Sequence, residues 1–120
     1  MNEETFKQRT KTFALNVIKI VEKLPKTRIA DTIGGQLLRA GTSVGANYRA
    51  PCRARSVADI IAKLGIVEEE ADESAYWMEL LETGGIVAKG ALQTMTAEAN
   101  EITAMTVASI KTLKKRNQKF

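Results

Sequence analysis

The sequence predicts an all-α protein, an antiparallel up-down-up-down four-helix bundle. Helix formers (Ala, Leu, Glu, Lys and Met) dominate long stretches in which apolar residues recur every three or four positions, and only two prolines interrupt them, Pro25 and Pro51. Runs of alternating β-branched residues, which a sheet would need, are missing. The 120 residues are expected to form one domain, residues 1–120, because the remainder could not fill a second core. An apolar share of 44% against 27% charged residues fits a water-soluble globule and argues against disorder.

The first helix is expected over about residues 2–24. Phe6, Phe13, Val17, Ile20, Val21 and Leu24 follow helical spacing, Glu3 and Glu4 suit the positive end of the helix dipole, and Pro25 removes a backbone donor. The second, over about residues 28–50, has Thr27 as N-cap and an apolar line through Ile29, Ile33, Leu37, Leu38, Ala40, Val44 and Tyr48. Gly34, Gly35, Gly41 and Gly45 lie within it, each costing about 1 kcal/mol relative to alanine in an exposed helix interior. Either another helix approaches closely there or this helix is locally weak. Asn47 falls where the heptad would place a core residue, a position at which a polar side chain fixes register or bonds across helices.

The third helix, about 56–82, opens with Ser56 and Asp59 as a cap and carries Val57, Ile60, Ile61, Leu64, Val67, Ala71, Ala75, Met78 and Leu81 as its core stripe. A second line through Ile66, Glu70, Glu73, Trp77 and Leu80 gives it another face that is not inert. Gly84-Gly85 closes it. The fourth helix is expected over about 89–116, with Leu92, Met95, Ala99, Ile102, Met105, Ile110 and Leu113, before a basic tail. Helices of such matched length, joined by short turns, pack best antiparallel.

Functional classes narrow quickly. The chain has no histidine, which removes the commonest general base, the Ser-His and Cys-His nucleophile pairs, and the usual zinc or iron ligand. The glycine pairs lack the preceding strand and following Lys-Ser/Thr of a phosphate loop. No enzymatic activity, cofactor or metal is therefore expected. Cys52 is the single cysteine, so no intramolecular disulfide can form; it stands among Arg49, Arg53 and Arg55, and a small residue at a helix end is its plainest reading. No apolar run approaches the ~18–20 residues of a membrane span, and the opening residues lack a secretory signal, so no membrane role and a cytoplasmic location are expected.

The net charge of +4 conceals a segregation. Residues 56–110 hold ten acids against Lys63 and Lys89, and the remainder is strongly basic. Such asymmetry points either to an anionic partner or to a second copy whose basic face meets the acidic one. Candidate RNA or DNA contacts are Arg39, Arg49, Arg53, Arg55, Lys111, Lys114, Lys115 and Arg116, since phosphate backbones attract such clusters without base selectivity. Candidate subunit-interface residues are Ile66, Glu70, Glu73 and Trp77; the tryptophan either completes the core at a helix seam or anchors a partner, where tryptophan is enriched.

The segments Arg39-Ala-Gly-Thr-Ser-Val-Gly-Ala-Asn-Tyr48, Arg53-Ala-Arg-Ser56, Lys63-Leu-Gly-Ile-Val67, Glu69-Glu-Ala-Asp-Glu73 and Tyr76-Trp-Met-Glu-Leu80 together resemble the four-helix-bundle family of 23S rRNA intervening-sequence proteins, over about residues 10–115. The resemblance implies an antiparallel four-helix protomer that associates with itself into a ring, commonly a pentamer. It also implies a kinship with nucleic-acid-binding accessory factors of retroelement reverse transcriptases, hence a protein partner or RNA or DNA. Enzymatic activity is not among the family's properties.

Overall fold

Among the described residues four helices follow one another: α1 (Glu3–Glu22), α2 (Arg28–Tyr48), α3 (Val57–Thr83) and α4 (Gln93–Gln118). The structure is a computed structural model that describes residues 2–49 and 56–118, with no strand among them. Local chemistry sets the helix starts. The side chains of Asn2, Thr27 and Ser56 accept hydrogen bonds from the backbone N–H groups of Thr5, Ala30 and Asp59, each at 3.1 Å. Those bonds satisfy donors that a helix N-terminus otherwise leaves unpaired. At the other end of α3, Gly85 adopts a positive φ of 73°, and the Ile86 N–H returns to the Leu81 carbonyl at 3.0 Å. A side chain would oppose that left-handed turn.

The start of α4 corrects the expectation of a helix from residue 89. Gly90 has φ 85°, and α4 begins at Gln93. The Glu82 carboxylate, from the last turn of α3, accepts from the Gly90 N–H at 2.6 Å and the Leu92 N–H at 3.0 Å. One side chain therefore holds the corner in a turn rather than a helix.

The interhelical pairings run in reversed order. Leu24 just past α1, and Val17 and Thr10 within it, lie against Gly34, Gly41 and Gly45 of α2, and the Phe6 ring packs edge-on against Tyr48 with centroids 4.6 Å apart. Rising numbers on α1 thus meet falling numbers on α2. The same reversal relates α2 to α3, where Arg39 reaches Glu70 and Glu73 while Tyr48 shares a cleft with Ile60 and Leu64. It also relates α3 to α4, which turn back on each other at the Glu82 corner. Helices of 20 to 27 residues, about 30–40 Å long at 1.5 Å per residue, fit the observed 53 × 22 × 21 Å extents.

Each helix turns one stripe inward. Phe6, Phe13 and Val17 meet Leu37 and Val44, Leu64, Val67, Met78 and Leu81, and Ala99, Ile102 and Ile110 in one continuous core. Complete burial of each large side chain contributes about 1.5–3 kcal/mol relative to leaving it in water. The buried hydroxyls of Thr10, Ser74 and Thr106 donate to the carbonyls of Phe6, Glu70 and Ile102 one turn back, so none is left unsatisfied.

The glycines of α2 resolve in favour of close approach. A Cβ on Gly41 would stand 2.8 and 2.9 Å from the two γ carbons of Val17, and one on Gly45 would stand 3.2 Å from the Thr10 hydroxyl. Gly35 differs, with open space around it.

Candidate functional site

The line Ile66, Glu70, Glu73 and Trp77, singled out from the sequence, runs along α3 beside α2. Across the seam stands Arg39. Its Nη1 pairs with Glu70 Oε2 at 3.1 Å and its Nη2 with Glu73 Oε1, and Nε donates to the side-chain amide oxygen of Gln36, Oε1, at 3.5 Å. The bond to Glu73, backed by the charge of Glu70, raises the guanidinium above its already alkaline ordinary pKa. A candidate nucleic-acid contact and two candidate interface acids are thus bound to one another within one chain.

The cluster continues in a relay. Glu73 Oε1 also accepts from the Trp77 indole N–H at 3.2 Å, and the Trp77 ring meets Tyr76 edge-to-face with centroids 5.0 Å apart. Trp77 is half-buried and packs on the core, whereas Ile66 is 42% and Tyr76 53% exposed. The Trp77 ring thus packs at the helix seam, and the larger aromatic surface offered to solvent belongs to Tyr76. Asn47, half-buried, donates to the Ser43 carbonyl of its own helix at 2.8 Å rather than across helices.

The remaining basic candidates gather elsewhere. Arg49 is exposed just past α2, and Lys111, Lys114, Lys115 and Arg116 are exposed on the last turns of α4. Tyr48 and Arg116 line one cleft, which places these two groups at the same end of the bundle. None of the five forms an ion pair with another described residue. Arg49 also shares a groove with Lys7 and Lys11 of α1. Arg53, Arg55 and Cys52 lie outside the described residues.

Two pairings were not visible in the sequence. Arg9 of α1 spans to α4, where Nη2 lies 2.7 Å from Glu98 and 3.1 Å from Glu101, and Nη1 lies 3.1 Å from the Met105 sulfur. The Glu98 hydrogen bond is the main reason its guanidinium pKa is raised. Residues 89 apart in the chain carry no periodic signal of such a contact. The second is the Glu82 corner described above.

Once the internal pairs are drawn, a remainder is left on opposite flanks. Glu69, Asp72 and Glu79 are exposed on the outer face of α3 around Tyr76, without an ion pair to a described residue. Lys11 and Lys19 are similarly exposed on α1, on either side of Leu15, itself 51% exposed. Among the described residues no group of three or more His, Cys, Asp or Glu side chains is placed to hold a metal ion, and no helix is long and apolar enough to cross a membrane.

The model of the 23S rRNA-intervening sequence protein family matches residues 3–108. The chain is also similar to a crystal structure of a protein of unknown function from the S23 ribosomal protein family of Bacteroides thetaiotaomicron. The two are 32% identical with a TM-score of 0.84, over 92% of this chain and 99% of that one. No curated protein matches it. The family match spans nearly the whole bundle, including both the Arg39–Asn47 segment and the acidic-aromatic stretch of α3 that face each other across the α2–α3 seam, and this chain belongs to the 23S rRNA-intervening sequence protein family.

Proposed function

We propose that the chain is a non-enzymatic, homo-oligomeric assembly module acting in the cytoplasm, docking through the outer face of α3. The observation that supports this reading is the bracing of Tyr76. Arg39 holds Glu73, Glu73 holds the Trp77 indole, and the indole stands edge-on to the half-exposed phenol ring. A large side chain fixed in place before contact loses little freedom on docking, and tyrosine ranks among the residues that dominate interface energies. Ile66, also exposed on α3, adds a second apolar side chain about three turns away. A face that differs from the surface it meets makes a head-to-tail contact, which closes into a ring when the rotation permits. A pentamer is the ring size the family resemblance implies.

The test is mass by light scattering across a salt series, with and without RNA. A multiple of the 13.1 kDa protomer is expected without RNA, and Tyr76→Asp should reduce it. A protomer that stays single at low salt and high concentration refutes the reading.

A second reading draws on the bare cations at one end of the bundle. Arg49, Lys111, Lys114, Lys115 and Arg116 offer positive charge that no described acid neutralises, the arrangement that attracts a phosphate backbone. In a ring, each protomer repeats the patch, and repetition multiplies weak contacts. Retention of RNA or DNA should fall steeply with salt and show little base preference. Lys114→Ala with Lys115→Ala should lower it equally for all sequences.

A further inference from the structure

We infer that the surface receiving the α3 face is the outer stripe of α1 on a second copy of this chain, Lys11–Leu15–Lys19, which takes Asp72–Tyr76–Glu79. The inference rests on the assembly reading above and names its other half.

The cations left free beside the body of the bundle lie on α1. The only cation in the middle of α2, Arg39, is spent within its own protomer on Glu70 and Glu73. The basic residues of α4 are confined to its last turns, whereas the acids around Tyr76 lie in the middle and C-terminal half of α3. Arg9, the one arginine of α1, is engaged by Glu98 and Glu101. Along the body of α1 that leaves Lys11 and Lys19, exposed and unpaired among the described residues, with an exposed leucine between them; Lys23, Lys26, Arg28 and Lys89 are exposed too, but at helix ends or in turns.

The two stripes match in pattern and length. On α1 the order is cation, apolar, cation at positions 11, 15 and 19; on α3 it is anion, aromatic, anion at positions 72, 76 and 79. At 1.5 Å per helical residue the charged ends are separated by about 12 Å and about 10 Å. Leu15, 51% exposed, thus falls opposite Tyr76, 53% exposed, when both lysines face acids. Glu4 and Glu22 bound the cationic stretch on the same side of α1, so sliding by about one turn towards Glu22 or two turns towards Glu4 would set carboxylate against carboxylate. Register is therefore specified by repulsion as well as attraction.

Placement in the bundle determines what such a contact builds. α1 packs on α2 and α4, as does α3, so α1 and α3 occupy diagonal corners. Two copies cannot then make both contacts at once, and each docking leaves an α1 stripe and an α3 stripe open for further copies.

The experiment reverses charge on the full-length chain and measures mass by sedimentation equilibrium, with helical circular dichroism as the folding control. Lys11→Glu with Lys19→Glu, and separately Asp72→Lys with Glu79→Lys, should each bring the mass down to the 13.1 kDa protomer. All four reversals in one chain should restore the wild-type mass, which also excludes misfolding as the cause of either loss. Equal mixing of the two double variants should give closed rings of even number only, since matched stripes can only alternate. An oligomeric wild type whose mass survives each pair of reversals overturns this inference and leaves the assembly reading standing. A monomeric wild type overturns both. Loss of RNA retention in the α1 variant with no change in mass assigns the lysines to a phosphate backbone and equally overturns it.

Discussion

α1 touches its two neighbours in opposite ways. Along α2 the backbones come together, because Gly41 and Gly45 present no side chain where Val17 and Thr10 pack. Along α4 the packing is the sparsest of the adjacent pairs, and a guanidinium crosses the gap to Glu98, Glu101 and Met105. The first seam is apolar, short-range and without slack. The second is spanned by a long, flexible side chain whose contacts tolerate small displacements. The comparison teaches that the spacing of helices in this bundle is set by which side chain stands between them, and that the cost of a change scales with how little the neighbours can yield.

The strongest way to break that contrast is Gly41→Val. The new Cβ would fall under 3.0 Å from both γ carbons of the fully buried Val17, whose branched side chain strongly prefers a single rotamer in a helix. A loss of about 2–3 kcal/mol is expected in urea unfolding, even after the small gain in helix propensity. A loss below about 1 kcal/mol would mean that the seam has slack after all. Adding Val17→Ala should recover part of the loss, since the two changes share one contact.

Arg9→Ala probes the other seam. It removes two charge-assisted hydrogen bonds from a partly buried site and should cost about 1–2 kcal/mol. Arg9→Met, which keeps the alkyl stem against Met105, should cost less, and an equal loss for both would show that packing counts for nothing there.

Gly35→Ala should move stability in the opposite direction to Gly41→Val. Nothing lies within 4 Å of the position a Cβ would take. Only helix propensity then counts, for a gain of about 0.5–1 kcal/mol read as a higher midpoint in thermal unfolding.

The smallest expected effect is an invariance. The raised pKa of Arg9 means that its contribution is fully present below the ordinary arginine value and is lost only as pH climbs through the elevated one. The difference between wild type and Arg9→Met should therefore be the same at about pH 6 and about pH 9. A difference that shrinks over this interval would assign the coupling to some other titrating group.

Much of the architecture was legible because helical periodicity is local. Phe6, Phe13 and Val17 on α1, or Leu64, Val67, Ala71 and Met78 on α3, announce an inward stripe by spacing alone, and Thr27 and Ser56 announce caps by residue type. The start of α4 was not legible. The Ala88–Leu92 stretch contains no proline, and what holds it out of the helix is a carboxylate on the preceding one. The candidate site divides along the same line. The sequence picks out Arg39, Glu70, Glu73 and Trp77 as chemically active, but whether such charges face a partner or each other depends on contacts between residues more than thirty positions apart. Lys11 and Lys19 are legible in the sequence as charge beside the apolar line of the first helix, one basic face among several. Leu15 between them carries no signal, because a lysine beside a leucine on a helix surface is ordinary until the face opposite is known.

The relay that ends at Tyr76 has a practical side. This chain has one tryptophan, and its indole is tied to Glu73 on one side and stands against Tyr76 on the other. Its ultraviolet emission is thus a label-free gauge of that spot: loosening Arg39 should redden it as solvent reaches the ring, and covering Tyr76 should shift it towards the blue.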